Sequence, residues 1–105
     1  MPKFLIERTI PGVDTLTPEQ LSEVAQNSNA ALAKLGPRIQ WIQSYVTADK
    51  MTCVYLAASI ELIREHARIG EFPVDRISEI RAVVDPGSAE GALWLATPMS
   101  MLAEH

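Results

Sequence analysis

The middle of the chain reads IQWIQSYV (39–46), TADK (47–50) and MTCVYLAA (51–58). The first and third of these segments are rich in β-branched, aromatic and aliphatic residues, a composition typical of strands. The polar segment between them is short enough to be the loop of a hairpin. The sequence therefore predicts an antiparallel hairpin at the centre of the chain, and the flanking segments decide which fold forms around it.

A helix is predicted immediately before this hairpin. Thr17 is a suitable N-cap, Pro18 suits the first helical position, and Gln20 completes a capping box. Apolar residues then recur at spacings of three and four as far as Leu35, which indicates one buried helix face. The pair Gly36-Pro37 is expected to end the helix.

A second helix and two outer strands complete the pattern. Ser59 is expected to cap the helix and Gly70 to end it, while residues 4–9 and 76–84 are predicted as strands. The resulting order, β-α-β-β-α-β, predicts a ferredoxin-like α+β fold. Its four-stranded antiparallel sheet is expected to have the strand order 4-1-3-2, with both helices on one face.

Composition narrows the classes of function. Nine basic and thirteen acidic residues give a net charge of −4, which disfavours a nucleic-acid partner because phosphate binding needs clustered Lys and Arg. The single cysteine, Cys53, excludes an internal disulfide and is typical of a reducing compartment. No apolar run approaches the roughly eighteen residues of a membrane span. We therefore expect a cytoplasmic protein with neither nucleic acid nor membrane as a partner.

The chain is expected to contain one domain, residues 1–87, followed by an apolar tail, residues 88–105. The tail carries Trp94, Met99 and Met101 but few charged residues. A segment of this composition is unfavourable in water. We expect it to pack on the domain or on a neighbouring subunit.

Strand alternation divides the sheet residues into two sets. We expect Leu5, Ile42, Val46, Val54, Leu56, Ile80 and Val84 to lie beneath the helices. The helix-free face would then carry Phe4, Ile6, Arg8, Trp41, Gln43, Tyr45, Met51, Cys53, Tyr55, Ile77, Glu79 and Arg81. Because an aromatic face of this kind should not remain bare, we expect it to meet a partner, a ligand or the tail. By analogy with other small domains of this fold, the working model is a homodimer with barrel-like α+β association.

Two residues could carry metal or nucleophilic chemistry. His66 is a candidate metal ligand or general base, although spacing alone favours a partly buried histidine near a helix end. Cys53 could be a soft metal ligand or a nucleophile, but an isolated strand cysteine is more often a small buried hydrophobe. The expected faces place these two side chains on opposite sides of the sheet, which disfavours a catalytic Cys-His pair.

The same face also offers a binding site for a small molecule. The candidate ligand-binding residues are Arg8, Trp41, Tyr45, Tyr55 and Glu79. Strands one and four are expected to be neighbours, so Arg8 and Glu79 could form an ion pair across them. Such a pair would be either an ordinary surface contact or a polar anchor for an acidic ligand inside an apolar cavity.

Three stretches carry a resemblance to a known family. They read FxIER…PG (4–12), WxxSYVxxDKxxCxY (41–55) and IREHA…G…FP (63–73). Together they resemble the small bacterial ferredoxin-like proteins described as nickel-binding or nickel-responsive, over about residues 3 to 87. The resemblance implies a homodimer and a divalent-metal site. By motif position, its candidate ligands are His66, Cys53, Tyr45, Asp49 and Glu7.

Three functions remain open at this point. The first is a dimeric protein that binds a divalent metal, nickel by resemblance, or a small ligand. The second is a cofactor-independent dimeric α+β barrel enzyme that acts on a small apolar substrate. The third is a structural or sensing module without catalysis. Binding ranks ahead of enzymatic activity because the sequence shows no catalytic motif.

Overall fold

The computed structural model describes residues 1–96 of the chain. Its main elements are β1 (Lys3–Thr9), α1 (Pro18–Leu35), β2 (Ile39–Val46), β3 (Lys50–Ala57), α2 (Ile60–Gly70), β4 (Arg76–Glu79), β5 (Ala82–Val83) and β6 (Trp94–Leu95). Two short 3-10 helices occupy Val13–Thr15 and Pro86–Glu90. Neither α-helix in this part of the chain is long and apolar enough to cross a membrane.

The main sheet has the order β2-β3-β1-β4, and all its neighbouring strands are antiparallel. This is the predicted order, and the predicted α+β fold with two helices and a four-stranded antiparallel sheet is confirmed. The two central strands, β1 and β3, contribute most of the buried sheet residues. The core therefore lies between these strands and the two helices.

Both helices begin at the predicted caps. The Thr17 hydroxyl accepts a hydrogen bond from the Gln20 amide at 3.1 Å, and the Gln20 side chain accepts one from the Thr17 amide at 2.9 Å. At the start of α2, the Ser59 hydroxyl accepts a bond from the Leu62 amide at 3.4 Å. These local bonds satisfy amides that have no partner within the helix, which explains why the helix starts were predictable.

Helix α2 ends near Gly70 as predicted, but Gly70 has a different role from the expected one. Gly70 is the last helical residue, and the left-handed conformation belongs to Glu71, with φ 57°. Gly70 is needed for another reason: a Cβ atom at this position would overlap the ring of Phe72. The absence of a side chain therefore lets Phe72 fold back against the end of the helix.

The predicted last strand, residues 76–84, is wrong beyond Glu79. Only Arg76–Glu79 lie opposite β1, and the Ile80 amide makes one further bond to the carbonyl of Lys3, where β1 begins. Past this point β1 offers no further partner, so the chain leaves the sheet. Residues 82–83 pair instead with 94–95 in a small separate hairpin.

Part of the predicted tail thus contacts the domain. Trp94 pairs with Val83, and the ammonium group of Lys3 lies 4.4 Å from the centre of the Trp94 ring. Met99 and Met101 of the predicted tail lie outside the described residues.

The assignment of the two sheet faces was wrong. Phe4, Ile6 and Tyr55, which were expected on the helix-free face, are buried under the helices. Leu5 and Val54 were expected beneath the helices, but they pair with each other on the helix-free face. Alternation separates the two sets of residues but does not say which one faces the helices, and here both sets are largely apolar.

A β-bulge in β2 is a second reason why residues lie on a different face of the sheet from the one expected. Trp41 lies opposite Tyr55 and Ser44 lies opposite Cys53, with the irregularity between Trp41 and Gln43. Trp41 and Ser44 consequently share the helix-covered face, although they are three residues apart. Gln43 and Tyr45, which were expected beside Trp41, lie on the helix-free face instead.

Candidate functional site

A cavity lies between the helix-covered face of the sheet, helix α1 and the segment after α2. The space between these walls is about 230 Å³, and part of it is open to solvent. Its lining is largely aromatic and apolar, with a few polar groups: Arg8, Val24, Ser28, Trp41, Ser44, Met51, Cys53, Tyr55 and Phe72. This combination is typical of small-molecule sites, although the volume suits only a small ligand.

Among the described residues that line the cavity, Arg8 is the one with a charged side chain. The side chain is 2% exposed, its Nη1 donates to the Pro73 carbonyl at 2.6 Å, and its guanidinium lies 5.3 Å from the centre of the Phe72 ring. The second terminal nitrogen, Nη2, is buried and has no hydrogen-bond partner among residues 1–96. The segment after α2 therefore holds Nη1 of the guanidinium, which also lies close to the Tyr55 phenol.

The expected pairing of Arg8 with Glu79 is wrong. Glu79 lies opposite Phe4, near the start of β1. The Glu79 carboxylate is 3.9 Å from the guanidinium of Arg81. Arg8 lies near the other end of β1, where the pairing with β4 has already stopped at Glu7. The register of the two strands keeps the two side chains apart.

A chain of hydrogen bonds orders another wall of the cavity. The Trp41 indole donates to the Ser44 hydroxyl at 3.0 Å, and this hydroxyl donates to the Cys53 sulfur at 2.9 Å. The β-bulge makes the chain possible because it brings Trp41 and Ser44 to the same face. These bonds hold the indole ring in place, and the Cys53 sulfur serves as a hydrogen-bond acceptor.

His66 lies behind the cavity in a fully buried position. Its Nε2 is 3.2 Å from the Ser28 hydroxyl, and its Nδ1 has no hydrogen-bond partner in the described part of the chain. Its ring packs between Tyr55 and Phe72 at centroid distances of 5.2 and 5.4 Å. Burial lowers the pKa of His66, and the nearby charge of Arg8 lowers it further, against the opposing effect of Ser28. The imidazole is therefore neutral at pH 7.

Tyr55 also remains neutral. Burial raises the pKa of its phenol, Cys53 raises it further, and the Arg8 charge and Ser28 hydroxyl oppose this effect. A phenol with a raised pKa keeps its proton at pH 7 and cannot supply a negative charge to Arg8.

The structure separates the five candidate metal ligands. His66 and Cys53 lie on the same side of the sheet, so the expectation that they point to opposite sides was wrong. Glu7 and Tyr45 lie on the helix-free face, where both neighbour Thr52 in one row across the sheet. Asp49 lies in the hairpin loop, and its carboxylate accepts a bond from the Gly12 amide at 3.2 Å.

A nickel ion does not fit the residues that surround His66. Nickel(II) favours several nitrogen or oxygen donors, whereas one nitrogen of His66 contacts Ser28 and the other lies between aromatic rings. The buried positive charge of Arg8 would also repel a cation. Within residues 1–96, no three His, Cys, Asp or Glu side chains are grouped closely enough to hold a metal.

The candidate ligand-binding residues are partly brought together. Arg8, Trp41 and Tyr55 line the cavity, whereas Tyr45 and Glu79 do not. Five other lining residues were not among the predicted candidates: Val24, Ser28, Ser44, Met51 and Phe72. A serine inside the apolar stripe of α1 could have indicated Ser28, but the bulge concealed Ser44.

Comparison with known proteins supplies the family. The structure of SCO4226 from Streptomyces coelicolor A3(2) superimposes with a TM-score of 0.62 at 17% identity, covering 74% of this chain and 94% of that chain. This likeness shows the shared fold. No curated protein matches the sequence. Residues 4–80 match the family described as nickel responsive protein SCO4226-like, and the chain belongs to that family.

Proposed function

We propose that this protein binds a small organic molecule in the cavity between the sheet and the helices. The observation that carries the proposal is Arg8, which lines this aromatic-walled cavity and whose buried Nη2 has no hydrogen-bond partner within residues 1–96. Proteins rarely leave such a group unsatisfied, because burial without a hydrogen bond costs free energy. A ligand that occupies the cavity would provide the missing partner.

The arrangement favours binding over catalysis. The Cys53 sulfur accepts its hydrogen bond from Ser44, and His66 contacts Ser28, so the thiol and the imidazole are engaged with different hydroxyl groups. Nucleophilic catalysis would need the base within hydrogen-bond reach of the nucleophile. The cavity therefore has groups that orient a ligand rather than groups that attack one.

A plugging variant tests this proposal. Val24 lines the cavity from α1, so Val24→Phe should fill it, whereas Ala30→Phe adds the same ring to an exposed position of the same helix. We would screen small acids, amines and neutral amides by NMR and follow the backbone amides of Ser28 and Ser44. Compounds should shift these amides in the wild-type protein and in Ala30→Phe, but not in Val24→Phe. If no compound shifts them, or if Val24→Phe responds normally, the proposal is wrong.

A second candidate function is binding of a divalent metal, nickel in the first instance, and the family description favours it. Because residues 1–96 of one chain do not group metal ligands, we propose that a second chain contributes donors. Glu7 and Tyr45 share a row on the helix-free face and could be joined by their copies in a dimer.

Elemental analysis after nickel titration tests this second candidate. Nickel should be retained in a stoichiometric amount by the wild-type protein and by His66→Gln, but lost in Glu7→Gln. Retention in Glu7→Gln together with loss in His66→Gln would exclude the helix-free face as the site.

The proposed dimer uses the same face. On this face Tyr45 is 53% exposed, and Ile42 at the bulge beside it is 49% exposed. The family resemblance implies a homodimer. A second copy would cover these side chains. Val54→Lys, at the centre of this face, should halve the molar mass measured by light scattering, whereas Ala30→Lys on α1 should not. An unchanged mass in Val54→Lys would place any dimer contact elsewhere.

A further inference from the structure

The charge of Arg8 has no counter-ion in the described part of the chain. The ion pairs within residues 1–96 join Arg68 to Glu65 and Arg81 to Glu79, and both lie at exposed or half-buried positions. Arg8 is 2% exposed and its bonded partner, the Pro73 carbonyl, is neutral. A guanidinium keeps its proton under all ordinary conditions, so this position carries a full positive charge.

A buried cation without a partner is costly. Removing a charged group from water costs several kcal/mol even after relaxation, and an opposite charge with good hydrogen-bond geometry can offset that cost. The titratable neighbours do not supply it, because His66 and Tyr55 are both neutral at pH 7. The compensating negative charge would have to come from outside these residues.

The rest of the cavity restricts the chemistry of such an anion. Trp41, Phe72 and Met51 present apolar surface, and the Ser28 and Ser44 hydroxyls are small polar groups on the walls. A strongly hydrated dianion such as phosphate would lose its water against these walls without sufficient donors to replace it. A planar carboxylate suits the guanidinium fork, and an apolar or aromatic body suits the remaining walls.

We propose that the ligand of this cavity is a small monocarboxylate with an apolar or aromatic body, and that Arg8 binds its carboxylate. This inference rests on the proposed small-molecule function and specifies the ligand class. The free Nη2 of Arg8 donates to the carboxylate, while Nη1 stays bonded to Pro73 and holds the guanidinium in place. Trp41, fixed by Ser44, contacts the body of the ligand.

Benzoate and its neutral isostere benzamide provide a matched pair of probes. Binding would be followed by the fluorescence of Trp41 in a Trp94→Phe background, so that a single indole reports. Benzoate should bind at least tenfold more tightly than benzamide, because a hydrogen bond to a charged group is stronger than one between neutral groups. In Arg8→Met this ratio should fall to about one, whereas Arg8→Lys should retain part of it.

The outcomes separate this inference from the proposed function. Equal binding of benzoate and benzamide to the wild-type protein would overturn the carboxylate assignment and leave a neutral small-molecule site. Competition by inorganic phosphate as strong as that by benzoate would also overturn it, in favour of a simple anion site. Because the benzoate-to-benzamide comparison uses the wild-type Arg8, it remains decisive even where an Arg8 variant fails to fold.

Discussion

Strands β1 and β3 present apolar side chains on both faces of the sheet, but the helices cover one face only. On the covered face, Ile6 and Tyr55 are 0% and 2% exposed, and even the cationic Arg8 is enclosed. On the other face, Leu5 and Val54 are half-buried, and Tyr45 on the edge strand β2 is 53% exposed. Polar groups under the helices must therefore find partners inside the domain, while those on the open face can use water. This difference explains why the hydrogen bonds between buried side chains lie on the helix-covered side of the sheet.

The largest expected loss of stability comes from replacing the buried one of two tyrosines, one on each face of the sheet. Tyr55→Ala removes a buried ring that packs on His66, and large-to-small substitutions of aromatic core residues typically cost about 3–5 kcal/mol in the free energy of unfolding. Tyr45→Ala should stay within about 0.5 kcal/mol, as is usual for surface positions. Urea denaturation at a concentration where the protein is monomeric measures both. Comparable losses would mean that Tyr45 is also covered within one chain.

A smaller effect is expected where α2 ends. Gly70→Ala places a methyl group where the Phe72 ring lies, and overpacking of this kind typically costs about 1–3 kcal/mol. In a Phe72→Ala background the space is free, so the additional cost of Gly70→Ala should nearly vanish. A double-mutant cycle by urea denaturation measures this coupling. Additive losses would show that Gly70 is needed for a reason other than Phe72.

The smallest expected effect is the pH dependence that His66 contributes. Its folded-state pKa is lowered mainly by burial, so the unfolded chain takes up a proton that the folded chain does not. The free energy of unfolding should therefore fall as the pH drops below about 6.5, by at most about 1.4 kcal/mol per pH unit from this group, until the folded His66 is itself protonated.

Two histidine variants isolate this contribution. His66→Gln should remove it from the pH profile of urea unfolding, and His105→Gln, at the other histidine of the chain, should leave it in place. A profile that is unchanged in His66→Gln would contradict a lowered pKa at this position.

Local signals carried most of the fold prediction. The helix starts follow from bonds within four residues, at Thr17 and Ser59, and the strand order follows from the sequence of elements. The ferredoxin-like arrangement could therefore be predicted before the structure. The sheet faces could not, because Phe4 and Leu5 are similarly apolar and only the docking of the helices distinguishes them.

The candidate site was harder to predict because it depends on contacts that are distant in sequence. Arg8 and Pro73 are bonded although they are 65 residues apart, and Ser28 meets His66 across the two helices. Arg8, Trp41 and Tyr55 were nonetheless selected as ligand-binding candidates on the basis of residue type. Tyr45 was grouped with them in error, since a regular alternation was assumed through the bulge in β2.

The bulge in β2 has a consequence for the comparison of related sequences. Trp41 and Ser44 both face the cavity because Ile42, the extra residue of the bulge, has no partner in β3. A chain without Ile42 would run as a plain strand and still direct the tryptophan and the serine to the same face. We therefore expect Ile42 to be a position where a one-residue gap can be placed in an alignment without moving any wall of the cavity.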